Sequence, residues 1–201
     1  MIKVCGMRDA QNISDVESLG VDWMGLIFAP RSPRFVSTKP AYLPEKARRV
    51  GVFVDADIST VAQRTSEYGL HLVQLHGHED CNYIAALRST LPATPVIKAV
   101  SIADADDIAN AAVYDGVADY LLFDTKSNVA GGSGRKFDWN VLDSYKGDTP
   151  FLLSGGIGPD DGALLRAISH PRLAGFDLNS RFETEPAMKD INKLKNFLNT
   201  L

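Results

Sequence analysis

The sequence predicts an α/β fold, a single-domain (β/α)8 barrel over residues 1–201, from three observations. Eight short apolar runs rich in β-branched residues occur along the chain, and most are continuous, as in parallel strands covered on both faces. They recur about every 25 residues, the length of one strand, one helix and two short loops. Helix signals fill the intervals, and no linker divides the chain. An open doubly wound sheet would also fit this pattern, but the count of eight favours a closed barrel.

The strands are predicted from their apolar composition. In chain order they cover residues 2–5, 23–28, 50–54, 72–75, 96–100, 120–123, 151–153 and 174–178. Two of the connections that follow them are long, residues 29–42 after the second strand and 125–137 after the sixth. Long loops at this end of a small barrel are usually functional.

The helices are predicted from polar residues that can cap their first turns and from glycine or proline just beyond their ends. They cover residues 9–19, 59–68, 79–91, 104–114 and 188–198, with another beginning at Pro159. Weaker signals predict helices over residues 37–49 and 138–145.

Composition and charge limit the classes of function. The chain is 45% hydrophobic and 23% charged, with a formal net charge of −4. This balance does not support nucleic-acid binding, so an anionic ligand must be held by local positive groups. No apolar run approaches the ~20 residues that span a bilayer, and no signal-peptide pattern is found, so we expect a cytoplasmic protein without membrane contact. Cys5 and Cys81 form neither a disulfide framework nor a zinc motif.

Polar side chains follow the apolar strands where a parallel barrel places its active site. These residues are Cys5, Asp55, His76, Asp124, Ser154 and Asn179. A Cys5 thiolate could act as a base or nucleophile if its pKa were lowered, although a small buried hydrophobe is the alternative. A carboxylate at the end of an apolar strand is costly unless it is paired or used, so Asp124 is interpreted as functional.

Other candidates are weaker. Asp55 precedes a helix start and is interpreted as structural, as is Cys81 within its helix. The two histidines of His76-Gly77-His78 could be metal ligands, but no further cluster of candidate ligands is found in the sequence. Arg34 in the loop after the second strand could bind a carboxylate through its planar fork, whereas Arg31 is interpreted as solvated.

Two glycine-rich segments stand in the predicted loops. Ser154-Gly155-Gly156-Ile157-Gly158-Pro159 joins the seventh strand to a helix, the usual phosphate site of such barrels. Gly131-Gly132-Ser133-Gly134 is not a Walker A loop, because no Gly-Lys-[Ser/Thr] follows at the required spacing. It is either a lid hinge or a plain linker.

Taken together, several segments resemble the phosphoribosylanthranilate isomerase family of tryptophan biosynthesis, over almost the whole chain. The segments are Lys3-Val4-Cys5-Gly6, Gly25-Leu26-Ile27-Phe28, Ser32-Pro33-Arg34, Val50 to Asp55, Val73-Gln74-Leu75-His76-Gly77, Phe123-Asp124-Thr125, the 131–134 run with Phe137-Asp138-Trp139, Leu153-Ser154-Gly155-Gly156-Ile157 and Asp177 to Glu183. Their order and spacing make the resemblance specific. The last segment departs from the family, which usually has Ser-Ser-Gly at Asn179-Ser180-Arg181 and often glycine at Ala187.

The resemblance implies a monomeric or dimeric barrel without cofactor or metal, whose partner is a phosphorylated small molecule. The implied reaction is an Amadori rearrangement of N-(5-phosphoribosyl)anthranilate to 1-(2-carboxyphenylamino)-1-deoxyribulose 5-phosphate. Cys5 would be the general base and Asp124 the general acid. Arg34 would pair with the anthranilate carboxylate. The phosphate would be held by Gly155, Gly156, Asn179 and Ser180.

Three alternatives are weighed against this expectation. The histidine-pathway isomerase performs the same rearrangement, but that family uses an aspartate where Cys5 stands and is longer. A ribulose-phosphate epimerase would need metal ligands at several strand ends. A catalytically silent phosphate-binding barrel is the alternative outside enzymes, and the presence of Cys5, Asp124 and Arg34 argues against it.

Overall fold

The computed structural model describes residues 1–126 and 137–201 and closes eight parallel strands into one barrel. The strands are β1 Ile2–Cys5, β2 Trp23–Ile27, β3 Arg48–Phe53, β4 Leu72–Leu75, β5 Val96–Ile102, β6 Tyr120–Thr125, β7 Phe151–Leu153 and β8 Leu173–Leu178. Each pairs with its neighbour in sequence, and β1 pairs with β8 to complete the ring. The predicted barrel is confirmed.

Within residues 1–126 and 137–201, six α-helices connect or follow the strands. They are α1 Ala10–Glu17, α2 Ile58–Tyr68, α3 Cys81–Thr90, α4 Ala105–Asn110, α5 Gly162–Ala167 and α6 Ile191–Leu198. Short 3-10 turns occupy Ala111–Tyr114, Trp139–Ser144, Pro159–Asp161 and Ser180–Phe182. Aspartates cap α1, α2, α3, α4 and α6, each accepting from a backbone N–H of the first turn. Asp9 and Asp104 are the predicted starts of α1 and α4, whereas the caps of α2, α3 and α6 differ from the predicted starts at residues 59, 79 and 188. Among the residues described, no helix is long and apolar enough to span a membrane.

The predicted helix over residues 37–49 is wrong. That segment is irregular until β3 begins at Arg48, and two prolines within it interrupt the backbone donors that a helix needs. The Glu17 carboxylate of α1 accepts the backbone N–H groups of Lys46 and Ala47 at 2.7 and 2.9 Å. A tertiary contact therefore satisfies these groups in place of helical hydrogen bonds.

Three other helix predictions are α-helical over only part of their range or are 3-10 instead. Residues 188–198 do not begin as helix, because Met188–Lys189 forms β10 and pairs antiparallel with β9 at Glu183–Glu185. The helix starts only after Asp190, whose side chain caps it. Residues 138–145 form a 3-10 turn, and the second half of 104–114 is also 3-10.

The buried apolar side chains form three clusters. Trp23, Val50, Leu72, Ile97, Leu122 and Leu152 form a buried cluster from alternate strand positions, as expected for a filled barrel interior. A larger cluster between strands and helices contains Phe53, Leu75, Phe123 and Leu153. Cys5, Ile27 and Val52 make a third cluster nearer the carboxyl ends of the strands. Inward-facing positions at those ends therefore line the mouth of the barrel.

Candidate active site

The predicted strand-end residues lie at the carboxyl ends of their strands. Cys5 is the last residue of β1, Asp124 is the next-to-last residue of β6, and Ser154 and Asn179 directly follow β7 and β8. Because all eight strands are parallel in a closed ring, these positions belong to the same rim. The fold thus brings together residues that are far apart in sequence.

The Cys5 thiol is buried, with 4% of the residue exposed. Its neighbour across the ladder is Gly25, and a Cβ atom added there would lie 2.6 Å from the Cys5 Sγ. Glycine is therefore required at this position for the thiol to face the barrel mouth. Burial raises the pKa of the Cys5 thiol above its ordinary value of 9.0, while the positive charges of Lys3 and Lys189 oppose that rise.

A buried ion pair lies next to Cys5. The Lys3 Nζ is 2.9 Å from the Asp177 Oδ1, and both side chains are almost fully buried. Ser154 Oγ lies 3.4 Å from the other Asp177 oxygen. Sequence reasoning missed this pair as a functional element. The signal was available, because a lysine in the first apolar strand and an aspartate in the eighth become neighbours when a barrel closes.

Two groups, a backbone N–H and an imidazole nitrogen, contact the Asp124 carboxylate. Its Oδ1 accepts the Thr125 backbone N–H at 2.9 Å, and its Oδ2 lies 3.2 Å from His76 Nε2. The other ring nitrogen of His76 is 3.0 Å from Gln74 Nε2. About a third of each side chain of this acid–imidazole pair is exposed, 29% for Asp124 and 32% for His76. Asp124 is therefore open to a ligand in the barrel mouth.

The two histidines of the His76-Gly77-His78 motif do not converge. His78 Nδ1 lies 2.9 Å from Asp55 Oδ2, away from the pair formed by His76 and Asp124. Asp55 also accepts the backbone N–H of His78, in keeping with its predicted structural role. In the described part of the chain, no group of three or more His, Cys, Asp or Glu side chains could hold a metal ion.

Arg34 is buried at the mouth and forks onto a carboxylate of the protein itself. Its Nε donates to Glu183 Oε1 at 2.8 Å and its Nη2 to Glu183 Oε2 at 2.6 Å. Lys189 Nζ donates to the same Oε1 at 2.6 Å and to Asn179 Oδ1 at 2.8 Å. Burial alone would raise the pKa of Glu183, but the contacts with Arg34 and Lys189 outweigh it and lower that pKa. Arg31 is exposed, as predicted.

Sequence reasoning missed Glu183 and Lys189, although Glu183 ends the segment that supported the resemblance. The β9–β10 hairpin carries both residues to the rim. Ala187, where the family often has glycine, has φ 69 in the left-handed region and donates its N–H to Glu183 Oε1 at 3.1 Å. A preference for glycine at this position follows from that backbone conformation. The hairpin turn thus completes the hydrogen bonding of the carboxylate.

The predicted phosphate loop packs against the end of β6. Gly155 and Gly156 have φ 86 and 68, and a Cβ atom on Gly155 would lie 2.4 Å from the Thr125 nitrogen. The Gly158 N–H is already used, donating to Asp161 Oδ2 at 2.6 Å. Arg181 leans over this loop, since its Nε is 3.4 Å from the position that a Cβ of Gly158 would take. The departure at Arg181 therefore adds a positive charge beside the loop.

The 131–134 segment, interpreted as hinge or linker, lies outside the described residues.

Sequence comparison identifies the family of the chain. The profile of a family described as N-(5'phosphoribosyl)anthranilate (PRA) isomerase matches residues 2–200. The N-(5'-phosphoribosyl)anthranilate isomerase of Phocaeicola vulgatus is 48% identical over 201 residues, which cover 100% of this chain and 97% of that protein. The enzyme of the same name from Parabacteroides distasonis is 47% identical, covering 98% of this chain and 91% of that protein.

Solved structures of the same description share the architecture. The phosphoribosyl anthranilate isomerase of Thermus thermophilus superposes with a TM-score of 0.84 at 28% identity, covering 99% of this chain and 96% of that one. The Thermotoga maritima enzyme gives 0.82 at 29% identity, covering 99% and 97%. A third, solved with reduced 1-(o-carboxyphenylamino)-1-deoxyribulose 5-phosphate, gives 0.78 at 27% identity, covering 99% and 96%. This chain therefore belongs to the N-(5'-phosphoribosyl)anthranilate isomerase family.

Proposed function

We propose that this barrel mouth converts the aminoaldose N-(5'-phosphoribosyl)anthranilate into the aminoketose 1-(2-carboxyphenylamino)-1-deoxyribulose 5-phosphate by an Amadori rearrangement. The observation that carries the proposal is the placement of Cys5 and Asp124 at the carboxyl ends of β1 and β6 in one closed barrel. A thiol and a carboxyl group at one rim are a base and an acid for the two proton transfers of this reaction.

Asp124 is the proposed general acid for ring opening. Its carboxylic acid form gives a proton to the furanose oxygen, and the bond between that oxygen and C1 breaks. The nitrogen lone pair then forms the Schiff base with C1. The Thr125 N–H, 2.9 Å from Asp124 Oδ1, stabilises the carboxylate that is left.

Cys5 is the proposed general base for the next transfer. The Schiff base acidifies the C2 proton of the sugar, and the thiolate removes it to leave an enolamine that tautomerises to the ketone. Burial disfavours the thiolate, so the ammonium groups of Lys3 and Lys189 have a specific task, to stabilise negative charge on sulfur.

The two charged ends of the substrate are assigned to different loops. Backbone N–H groups around Gly155 and Gly156, together with Asn179 and Ser180, hold the phosphate, with the Arg181 charge nearby. Arg34 meets the anthranilate carboxylate while Glu183 keeps its guanidinium in place. No metal or cofactor takes part in this proposal. A monomer or a homodimer would serve it equally, and a cytoplasmic location stays a prediction.

The test is a turnover assay with phosphoribosylanthranilate generated in situ and chromatographic detection of the ketose product. We expect turnover that survives exhaustive chelation. Cys5→Ser and Asp124→Asn should each lower kcat by ~10²–10⁴-fold or more while circular dichroism stays unchanged. Cys81→Ala is the matched control and should retain activity. A folded wild-type protein without turnover, or a Cys5→Ser variant that keeps most of its activity, would refute the proposal.

A further inference from the structure

Gln74 is a buried amide whose hydrogen bonding is incomplete. It lies on β4 with 0% exposure, between the apolar residues Val73 and Leu75. Its Nε2 is 3.0 Å from His76 Nδ1, while its Oε1 is buried without a hydrogen-bond partner among the residues described. A buried polar atom left unpaired costs free energy, so it calls for an explanation.

The amide belongs to a line of three side chains that ends at Asp124. Gln74 and His76 are two positions apart and therefore face the same side of the sheet at the end of β4. His76 Nε2 lies 3.2 Å from Asp124 Oδ2, so the imidazole stands between the amide and the carboxyl group. Which ring nitrogen of His76 carries the hydrogen is thus set by the hydrogen bond that the other nitrogen makes.

Two proton arrangements fit the same heavy-atom positions. When Gln74 Nε2 donates to His76 Nδ1, the hydrogen of the neutral ring is on Nε2 and donates to an Asp124 carboxylate. When the amide is rotated by half a turn, Gln74 Oε1 accepts from Nδ1–H. His76 Nε2 is then free to accept the O–H of a protonated Asp124, or to share that proton as imidazolium.

We propose that Gln74 and His76 are positioning residues that couple the protonation state of Asp124 to the tautomer of His76. The protonated pair uses Gln74 Oε1 as its acceptor, and the deprotonated pair uses Gln74 Nε2 as its donor. When the carboxyl proton of the pair passes to the furanose oxygen, Asp124 becomes a carboxylate and the neutral ring still has its hydrogen on Nδ1. The ring then loses that hydrogen to solvent and takes a proton from solvent on Nε2 as the Gln74 amide rotates. The reverse exchange, with one further proton from solvent, restores the protonated pair. This inference rests on the proposed role of Asp124 as the general acid.

Other charged groups bear on the pair. Asp177 on β8 interacts electrostatically with both Asp124 and His76, and Lys3 on β1 compensates Asp177 at 2.9 Å. Asp177 and Lys3 therefore act on the pair through their charges, from β8 and β1. The Gln74 amide is neutral, so it orients the imidazole of His76 without adding charge near the pair. The test uses this difference between Gln74 and the charged residues.

The test combines ring nitrogen NMR of His76 with pH profiles of kcat. In the wild-type enzyme at high pH we expect His76 to carry its hydrogen on Nε2. An ionised Gln74→Glu side chain supplies only acceptors, so it should hold the hydrogen on Nδ1 and shift the carboxyl limb of kcat to higher pH. Gln74→Met should leave a mixture of tautomers and lower kcat by about tenfold with KM nearly unchanged.

Variants of the ring and a matched structural control complete the experiment. His76→Leu should lower kcat and move the carboxyl limb, and His76→Gln, which keeps an N–H donor near the position of Nε2, should restore part of both. Val73→Ala, on the same strand but in the outer core, should reduce stability and leave the pH profile in place. If Gln74→Met does not fold, Gln74→Glu and the His76 variants carry the test.

The outcomes distinguish this inference from the proposed function. Unchanged tautomer and pH profile in the folded Gln74 variants would overturn the coupling. An Asp124→Asn enzyme that keeps full activity would overturn the proposed function. Comparison of the His76 tautomer over pH in the wild type and in that variant would still test the coupling, because only the wild type has the carboxyl proton.

Discussion

Arg34 and Glu183, separated by 149 residues in sequence, form a two-bonded ion pair at the barrel mouth with N···O distances of 2.8 and 2.6 Å. Lys189 completes the cluster on the same carboxylate at 2.6 Å. Gly6, directly after Cys5, packs against this cluster, because a Cβ there would lie 2.6 Å from Arg34 Cδ and 2.9 Å from Asn179 Oδ1. Arg34, which is proposed to bind the substrate carboxylate, therefore contacts both Glu183 and the backbone beside Cys5, the proposed base.

Glu183→Gln should destabilise the protein strongly, because it leaves Arg34 and Lys189 buried without a compensating charge. Loss of one partner of a buried pair costs ~3–5 kcal/mol, measurable as a lower free energy of unfolding in urea. Glu67→Gln is the control, since its pair with Arg64 is exposed and should contribute under ~1 kcal/mol. Equal effects in the two variants would show that the cluster at Glu183 is not a structural element.

The same carboxylate predicts a pH dependence of stability. The folded-state pKa of Glu183 is lowered below its ordinary value of 4.5, so its contribution is fully present above that pH. It is lost as the pH falls through the lower folded-state pKa, because the unfolded chain then binds the proton more readily. The difference in unfolding free energy between wild type and Glu183→Gln should therefore shrink below pH 4.5 and be constant above it. A difference that grows with acidification would contradict the direction of the shift.

Arg34→Ala should lower kcat/KM by roughly 10- to 150-fold, the effect of losing a charge-assisted contact of about 1.5–3 kcal/mol. Arg34→Lys should recover only part of this loss, because an ammonium cannot make the two parallel hydrogen bonds that the guanidinium donates to Glu183. Steady-state kinetics with Arg31→Ala as the control checks the assignment, since Arg31 is exposed in the same loop. Similar losses at both arginines would mean that overall positive charge, rather than a specific pair, is being measured.

Iodoacetamide should inactivate the enzyme at a rate that still increases above pH 9, because burial raises the pKa of Cys5 above 9.0 and only the thiolate reacts rapidly. Product analogues that fill the mouth should slow the inactivation. Residual activity measured against time at several pH values gives the rate, and Cys81→Ala should be inactivated like the wild type. A rate that levels off near neutral pH would indicate a lowered pKa instead.

Gly156→Asn should raise KM without a large loss of stability if the loop holds the phosphate. Its φ of 68 is in the left-handed region that asparagine tolerates and a β-branched residue does not. Gly156→Val should raise KM as well and also lower the free energy of unfolding. Inorganic phosphate should compete weakly with substrate in the wild type and less in both variants. A folded Gly156→Asn enzyme with normal KM would place the phosphate elsewhere.

Sequence alone predicted the barrel, because each parallel strand is covered on both faces and is therefore a continuous apolar run in the sequence. It also predicted Cys5 and Asp124 as site residues, since strand ends are local features and a closed barrel assigns them to one rim. The helix prediction over residues 37–49 failed for a nonlocal reason. The Glu17 carboxylate, on an earlier helix, takes the hydrogen bonds of that segment.

The tertiary structure decided how the predicted residues are held. Lys3 meets Asp177 only because β1 pairs with β8, and Arg34 meets Glu183 only because the β9–β10 hairpin returns to the rim. Periodicity, capping and strand ends depend on residues close in sequence, so they could be predicted from one chain. Ion-pair partners, burial and the pKa of Cys5 depend on charges and packing brought together across the whole barrel, where local pattern carries no information about distance.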